Sequence, residues 1–226
     1  MSNTDLQNKR ILVTHADEFM GPAICNNLRQ KQARVIADNH ALGSEQEVQR
    51  VIQDAGKVDI LIINLSITAP TSAATDVTES EWSTTFARLV DPLPRLSKAM
   101  LPQMIERQSG KIIIIGSAAA MRGMKRTSTY SAARGAQLAY TQALGVEVAK
   151  HNIQVNAIAQ NFVDNATYFP PHVQADERFI ARLQREVPLG RLVSAEEDAE
   201  FVAYLCSDAA NCFVGQVFPV CGGWAH

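Results

Sequence analysis

The apolar run Ile112 to Ile115, inside K-I-I-I-I-G-S, is the tightest constraint on how this chain can fold. A strand with one wet face alternates apolar and polar residues, and this run does not. It reads as a strand buried on both faces, which needs helices above and below a parallel sheet. The rest of the chain agrees, because strand-like and helix-like segments alternate along it. Strands are predicted over 10–14, 34–38, 58–64, 111–116, 153–159 and 217–220. Helices are predicted over 21–31, 44–56, 79–107, 128–150, 175–186 and 195–207, with 160–171 as an irregular loop. Ser44 followed by Glu47 is a capping-box pattern. Pro92 and Pro94 should kink or reshape the helix at 79–107. No repeat, linker or low-complexity stretch divides the chain. The expected fold class is therefore α/β, a doubly wound parallel sheet flanked by helices, as one domain over 1–226.

With 226 residues the chain can bury a sizeable core. Its net charge of -2, with no long basic run, gives no reason to expect nucleic acid or an anionic membrane surface as a partner. The polar start, M-S-N-T-D-L-Q-N-K-R, has no signal-peptide core. The longest apolar runs fall short of the roughly 20 residues a membrane span needs. A soluble cytoplasmic protein is expected. Cys25, Cys206, Cys212 and Cys221 show neither CxxC spacing nor a nearby His, so they are expected as small hydrophobes, with no metal site. The five histidines are scattered and receive no catalytic role.

Chemistry concentrates after the isoleucine run. Ser117 stands at the strand end. Tyr130 and Arg134 lie four apart, on one face of the next helix. A hydroxyl, a phenol and a guanidinium then converge, which suits proton transfer to or from an alcohol oxygen. The bland alternative is a surface helix pair.

The order of elements resembles the short-chain dehydrogenase/reductase superfamily over essentially the whole chain. V-D-I-L-I-I-N at 58–64, S-G-K-I-I-I-I-G-S at 109–117, N-I-Q-V-N-A-I-A at 152–159, V-P-L-G-R-L at 187–192 and G-Q-V-F-P-V-C-G-G at 215–223 carry the likeness. It implies a Rossmann-like fold. Five departures break the pattern. A nucleotide-binding turn needs glycines so that the backbone can approach a pyrophosphate. Here T-H-A-D-E-F-M-G keeps only Gly21, with His15 and Phe19 at the other two places. Asp17 and Glu18 would repel phosphate, and Asp38 becomes an end-of-strand polar residue. Between Asp38 and Val58 only about twenty residues remain, so one strand–helix unit is shortened or missing. Arg134 stands where the superfamily has lysine, and the two are not interchangeable. Gln160-Asn161 replaces Pro-Gly, and the region near Leu89 lacks the usual Asn.

This combination resembles the halohydrin dehalogenases, cofactor-free relatives of that superfamily. Their fingerprints Ser-x12-Tyr-x3-Arg and Thr-x4-Phe/Tyr-x-Gly are matched by Ser117, Tyr130 and Arg134, and by Thr14, Phe19 and Gly21. S-A-A-A-M-R and Y-F-P look most like the branch with the B-type enzymes. The resemblance implies intramolecular displacement: a vicinal haloalcohol gives an epoxide, halide and a proton, with no cofactor. Tyr130 is the implied base, favoured as phenolate by Arg134, and Ser117 holds the substrate oxygen. The halide would rest on backbone N–H groups of Gln160, Asn161, Phe162 and Val163. Phe19, Tyr168 and Phe169 would wall the pocket. In reverse, azide, cyanide or nitrite would open an epoxide. A homotetramer is implied, through the helices at 79–107 and 128–150. Trp224 and His226 could cap a neighbouring subunit's pocket. Two other functions stay open: an NAD(P)-dependent alcohol dehydrogenase with a degenerate turn, and a non-catalytic ligand-binding relative.

Overall fold

The structure is a computed structural model and describes residues 6–226. Its strands are β1 (Arg10–Thr14), β2 (Arg34–Asp38), β3 (Ile60–Asn64), β4 (Gly110–Ser117), β5 (Ile153–Gln160) and β6 (Val217–Val220). They pair in parallel, in the order β2-β1-β3-β4-β5-β6. The helices are α1 (Gly21–Gln30), α2 (Glu45–Ala55), α3 (Glu79–Leu89), α4 (Pro92–Glu106), α5 (Ser128–Val148), α6 (Pro171–Gln174), α7 (Glu177–Glu186) and α8 (Ala195–Cys206). Only α2 lies between β2 and β3, as the short spacing after Asp38 predicts.

The isoleucine run sets the layering. Successive strand residues point to opposite faces. Ile112 and Ile114 enter a core shared with α2, α4 and α5, while Ile113 and Ile115 enter the opposite one with α1 and α8. All four are buried, and burying a side chain of that size contributes about 1.5–3 kcal/mol. Such a strand cannot sit at an edge, and β4 has β3 and β5 as neighbours.

One expected element is corrected. The helix predicted over 79–107 is two helices, α3 and α4, separated at Val90 and Asp91. Pro92 begins α4, where its missing N–H has no intrahelical partner to lose. The apolar period runs across the break, so it does not reveal it. Smaller shifts follow the same local logic. β3 starts at Ile60, and α7 starts at Glu177 because Asp176 caps it through the Arg178 N–H. The predicted loop is irregular until α6.

The capping box of α2 is present in both directions. The Ser44 hydroxyl accepts from the Glu47 N–H at 3.2 Å, and the Ser44 N–H donates to the Glu47 carboxylate at 2.8 Å. Ser44→Ala should cost about 1 kcal/mol, read as a lower urea midpoint with an unchanged slope.

The chain runs outward from β1 to β2 and then returns to the other side of β1 as β3. This reversal opens a crevice at the carboxyl ends of β1 and β3, the place where open α/β sheets bind ligands. Among the described residues no helix is long and apolar enough to cross a membrane. No cluster of metal-ligating side chains and no disulfide occurs among them either.

Candidate active site

The register of the central strands assembles the site. Ser117, at the end of β4, lies opposite Gln160, at the end of β5. Asn64 ends the neighbouring β3, opposite Ile115. On β1, the Thr14 hydroxyl donates to the Asn64 carbonyl at 3.2 Å and accepts the Asn64 N–H at 3.0 Å. Thr14 thus ties β1 to β3 directly beneath the crevice.

Above these ends lies a cavity of about 400 Å³. Its wall holds every residue assigned a site role from the sequence: Ser117, Tyr130, Arg134, Phe19, Gln160, Asn161, Phe162, Val163, Tyr168 and Phe169. It also holds residues that sequence reasoning missed, among them Asn64, Ser66, Met124, Phe179 and Arg182. Their only signal was proximity to strand ends or to α7. Although a homologue's pattern could name the loop at 160–163, α7 reaches the site only through tertiary packing.

Arg134 is 6% exposed. One Nη donates to the Ile115 carbonyl at 3.2 Å and to the Gln137 side-chain oxygen at 2.9 Å. Gln137 is itself fully buried and donates to the Leu89 carbonyl at 2.7 Å. This fixes the guanidinium 5.1 Å from the centre of the Tyr130 ring. No carboxylate pairs with Arg134 among the described residues, and its Nε–H is buried without a partner. Among the described residues the cavity wall contains no Asp or Glu. An uncompensated buried cation is costly in a protein interior. The site therefore favours an anion.

Ser117 is prepared as a donor. Its hydroxyl oxygen accepts the Ala119 N–H at 3.2 Å, capping the turn Ala118–Ala120. That leaves its O–H to point at another oxygen. The two tyrosines of the cavity differ in their engagements. The Tyr168 hydroxyl donates to the Ile67 carbonyl at 3.1 Å and accepts the Ala69 N–H at 2.9 Å. Burial, and then the neighbouring Tyr130, push its pKa up to about 12, so it stays a neutral structural phenol at physiological pH. Tyr130 carries no such pair of backbone anchors.

The loop after β5 differs from expectation in which donors it offers. The Asn161 N–H donates to the Val220 carbonyl at 3.2 Å, and the Phe162 N–H to the Asn161 side-chain oxygen at 2.9 Å. Those backbone donors are spent on the turn, which Phe162 enters at φ 51°. The loop also offers a side-chain donor. The Asn161 Nδ2 is buried and unpartnered. Aromatic packing closes that end of the cavity: Phe162 meets Phe169 at 6.1 Å and Trp224 at 6.0 Å, and Arg182 stands 5.4 Å over the Phe162 ring. Trp224 is 3% exposed within its own chain.

The turn after β1 keeps a backbone suited to glycine without the glycines. His15 and Phe19 both have positive φ, 44° and 48°. At Gly21 a Cβ would lie 2.4 Å from the Ala16 carbonyl oxygen, so this glycine is required by close approach. The Asn64 amide donates to the His15 and Glu18 carbonyls, at 2.9 and 3.1 Å, and holds the turn shut. Phe19 packs on Tyr168 with ring centres 5.4 Å apart, and Ser66 donates to the Glu18 carboxylate at 2.8 Å. Asp38 accepts from the His40 ring at 2.7 Å. An aromatic pair and a carboxylate thus occupy the approach to the N-terminus of α1. These residues do not fit a dinucleotide pyrophosphate.

Comparison with known proteins agrees with this fold. Residues 23–225 match the family model described as enoyl-(acyl carrier protein) reductase. The 3-oxoacyl-(acyl carrier protein) reductase FabG of Escherichia coli (strain K12) is 30% identical, over 97% of this chain and 98% of that protein. Dehydrogenase/reductase SDR family member 4 of Homo sapiens is 27% identical, over 96% of this chain and 88% of that protein. A solved structure described as a dehalogenation enzyme superposes with a TM-score of 0.90 at 27% identity, over 98% of this chain and 100% of that one. The six-stranded parallel sheet, the strand-end site and the match over nearly the full length place this chain in the enoyl-(acyl carrier protein) reductase family of the short-chain dehydrogenase/reductase superfamily of enzymes.

Proposed function

We propose that this chain is a halohydrin dehalogenase, which converts vicinal haloalcohols to epoxides without a nucleotide. The observation that carries the reading is Arg134: a buried cation with no acid to balance it, beside a phenol, in a cavity whose wall has no carboxylate. A hydride-transferring site would need room for a dinucleotide, and Phe19, Tyr168 and Glu18 take that room. The likeness to a dehalogenation enzyme supports the same reading.

In this mechanism the substrate hydroxyl lies between Ser117 and Tyr130. Ser117 donates to its oxygen, and Tyr130 takes its proton. The alkoxide attacks the adjacent carbon in line with the carbon–halogen bond. One C–O bond forms, one C–halogen bond breaks, and the electron pair leaves with the halide. Fixing oxygen, carbon and halogen in line is the main contribution of the apolar wall. Negative charge, on the Tyr130 oxygen first and on the halide last, meets the fixed charge of Arg134 and the free Asn161 amide donor. In reverse, azide, cyanide or nitrite takes the halide position and opens an epoxide. A homotetramer belongs to this reading: α3 exposes Trp82 and α5 exposes Val146, both large apolar side chains on the two helices concerned.

The competing reading is a nicotinamide-dependent reductase, favoured by the 30% identity to a 3-oxoacyl-(acyl carrier protein) reductase. One experiment separates the two. The purified protein is incubated with 1,3-dichloro-2-propanol, with and without NAD(H) and NADP(H). Chloride release without nucleotide, and no change in nicotinamide absorbance, is expected. Chloride release that requires a nucleotide, or oxidation of the alcohol instead, sinks the proposal.

A further inference from the structure

Asp198, on the first turns of α8, is fully buried. Its Oδ2 accepts one hydrogen bond, from the Gln160 side-chain nitrogen at 2.6 Å, and its Oδ1 has no partner. Gln160 ends β5 and lines the cavity, adjacent in sequence to the orphan donor of Asn161. With one N–H of its amide held by Asp198, Gln160 keeps that nitrogen on the Asp198 side, and its carbonyl oxygen is the end left on the other side of the amide. A carbonyl oxygen repels an anion. We propose that Asp198 is a positioning residue for the anion end of the cavity, whose proton decides whether Gln160 turns its carbonyl oxygen or its NH2 group toward a bound halide. This rests on the haloalcohol reading and adds a control to it.

The device needs only local motion. The last torsion of a glutamine side chain is soft and roughly two-fold, so the two amide orientations are alternative wells of one rotamer. An ionised carboxylate only accepts hydrogen bonds and so holds the NH2 group. A protonated one donates through its O–H and so holds the carbonyl instead. The first state turns oxygen to the cavity, the second nitrogen.

Burial pushes the Asp198 carboxyl up to about 7, against a smaller opposing pull from the Gln160 hydrogen bond. The charged and titratable groups on the elements around α8 are paired elsewhere, stand at the surface, or are buried without contact to Asp198, as the Lys111 Nζ is. Lys31 pairs with Glu200 at 2.8 Å, Arg191 with Glu197 at 2.7 Å, and Lys9 with Asp208 at 3.8 Å. Arg29 of α1 and Glu196 of α8 are exposed, while Cys25, Cys206 and Lys111 lie buried on α1, α8 and β4. None of them enters the balance at Asp198, which is set by burial and Gln160. Across the cavity stand Tyr130 and Arg134.

Sodium bromide is the probe, titrated calorimetrically into the whole protein from pH 6 to pH 8.5, in buffers of different ionisation enthalpy. If only the protonated state presents a donor, the bromide dissociation constant should weaken about tenfold or more across this range, in proportion to the competent fraction. Near pH 7 bromide should draw in a fraction of a proton. In Asp198→Asn, whose amide can hold the Gln160 carbonyl permanently, affinity should stay at its low-pH value throughout, with no proton uptake. Gln160→Met, which keeps Asp198 but removes the amide, should also lose the uptake; it decides the matter should the first variant not fold. Tyr130→Phe should keep the pH dependence. A pH dependence that survives in Asp198→Asn and vanishes in Tyr130→Phe overturns this proposal and leaves the haloalcohol reading intact, as does flat binding in the native protein. No bromide binding at any pH overturns both.

Discussion

Tyr130→Phe will lower halide release from 1,3-dichloro-2-propanol by about a thousand-fold or more, within the range that general acid–base catalysis supplies. The phenol is 7% exposed and its ring packs in the core beside α5's Ala133, so phenylalanine keeps the packing and loses only the oxygen. Arg134 stays held by Ile115 and Gln137. Bromide should therefore bind the variant within a few-fold of its native affinity, and the unfolding midpoint should barely move. The loss should fall on turnover. A tenfold loss or less would move the proton-acceptor role away from Tyr130. Tyr168 cannot substitute, since its hydroxyl is bound to the Ile67 and Ala69 backbone and its pKa is pushed up to about 12.

The second large effect concerns stability. Asp198 ionises near pH 4 in an unfolded chain but is pushed up to about 7 in the fold by burial. The folded state thus binds a proton that the unfolded state releases between those values. The stability this carboxyl confers is full below about pH 4 and is lost as pH rises through about 7. A shift of this size corresponds to about 4 kcal/mol. Asp198→Leu has nothing to titrate. Its stability relative to the native protein should rise by that order between pH 4 and pH 8, measured by urea unfolding at each pH. The other carboxylates contribute equally to both curves and cancel. The Gln160 amide, left without a partner, offsets part of the gain by a constant amount. Parallel curves for the two proteins would show that Asp198 does not carry the proton.

The architecture was legible because it rests on local rules. A run with no polar residue forced a central strand, and Ser44 with Glu47 marked a helix start that the hydrogen bonds reproduce. The convergence of Ser117, Tyr130 and Arg134 followed from a strand end and a four-residue helical spacing. Pro92 and Pro94 marked where the helix at 79–107 is reshaped, but not that it separates into α3 and α4, because the apolar period runs on across Val90 and Asp91. Asp198 was hidden for a different reason. A carboxylate in the first turns of a helix reads as a solvated partner of the helix N-terminus, as Glu196 and Glu197 are. Only the placement of α8 under the end of β5 removes it from water. Two of the four backbone donors assigned to the anion end are engaged elsewhere for the same kind of reason. A loop sequence shows how many backbone N–H groups it has, but not that Val220 and the Asn161 side chain already take two of them.

His15 and Phe19 hold a left-handed backbone that L side chains adopt at a cost of roughly 1–2 kcal/mol each. At these two positions the least strained residue is therefore glycine, and at Phe19 it would also take the ring out of the approach to α1. Folding and specificity pull in opposite directions there. On the haloalcohol reading the ring of Phe19 gives up stability to exclude a large ligand, in the way that sites commonly trade the one for the other. The exclusion is written in side chains alone, on a main-chain path still shaped for close approach. Selection for thermal robustness alone would therefore tend to replace that ring with glycine.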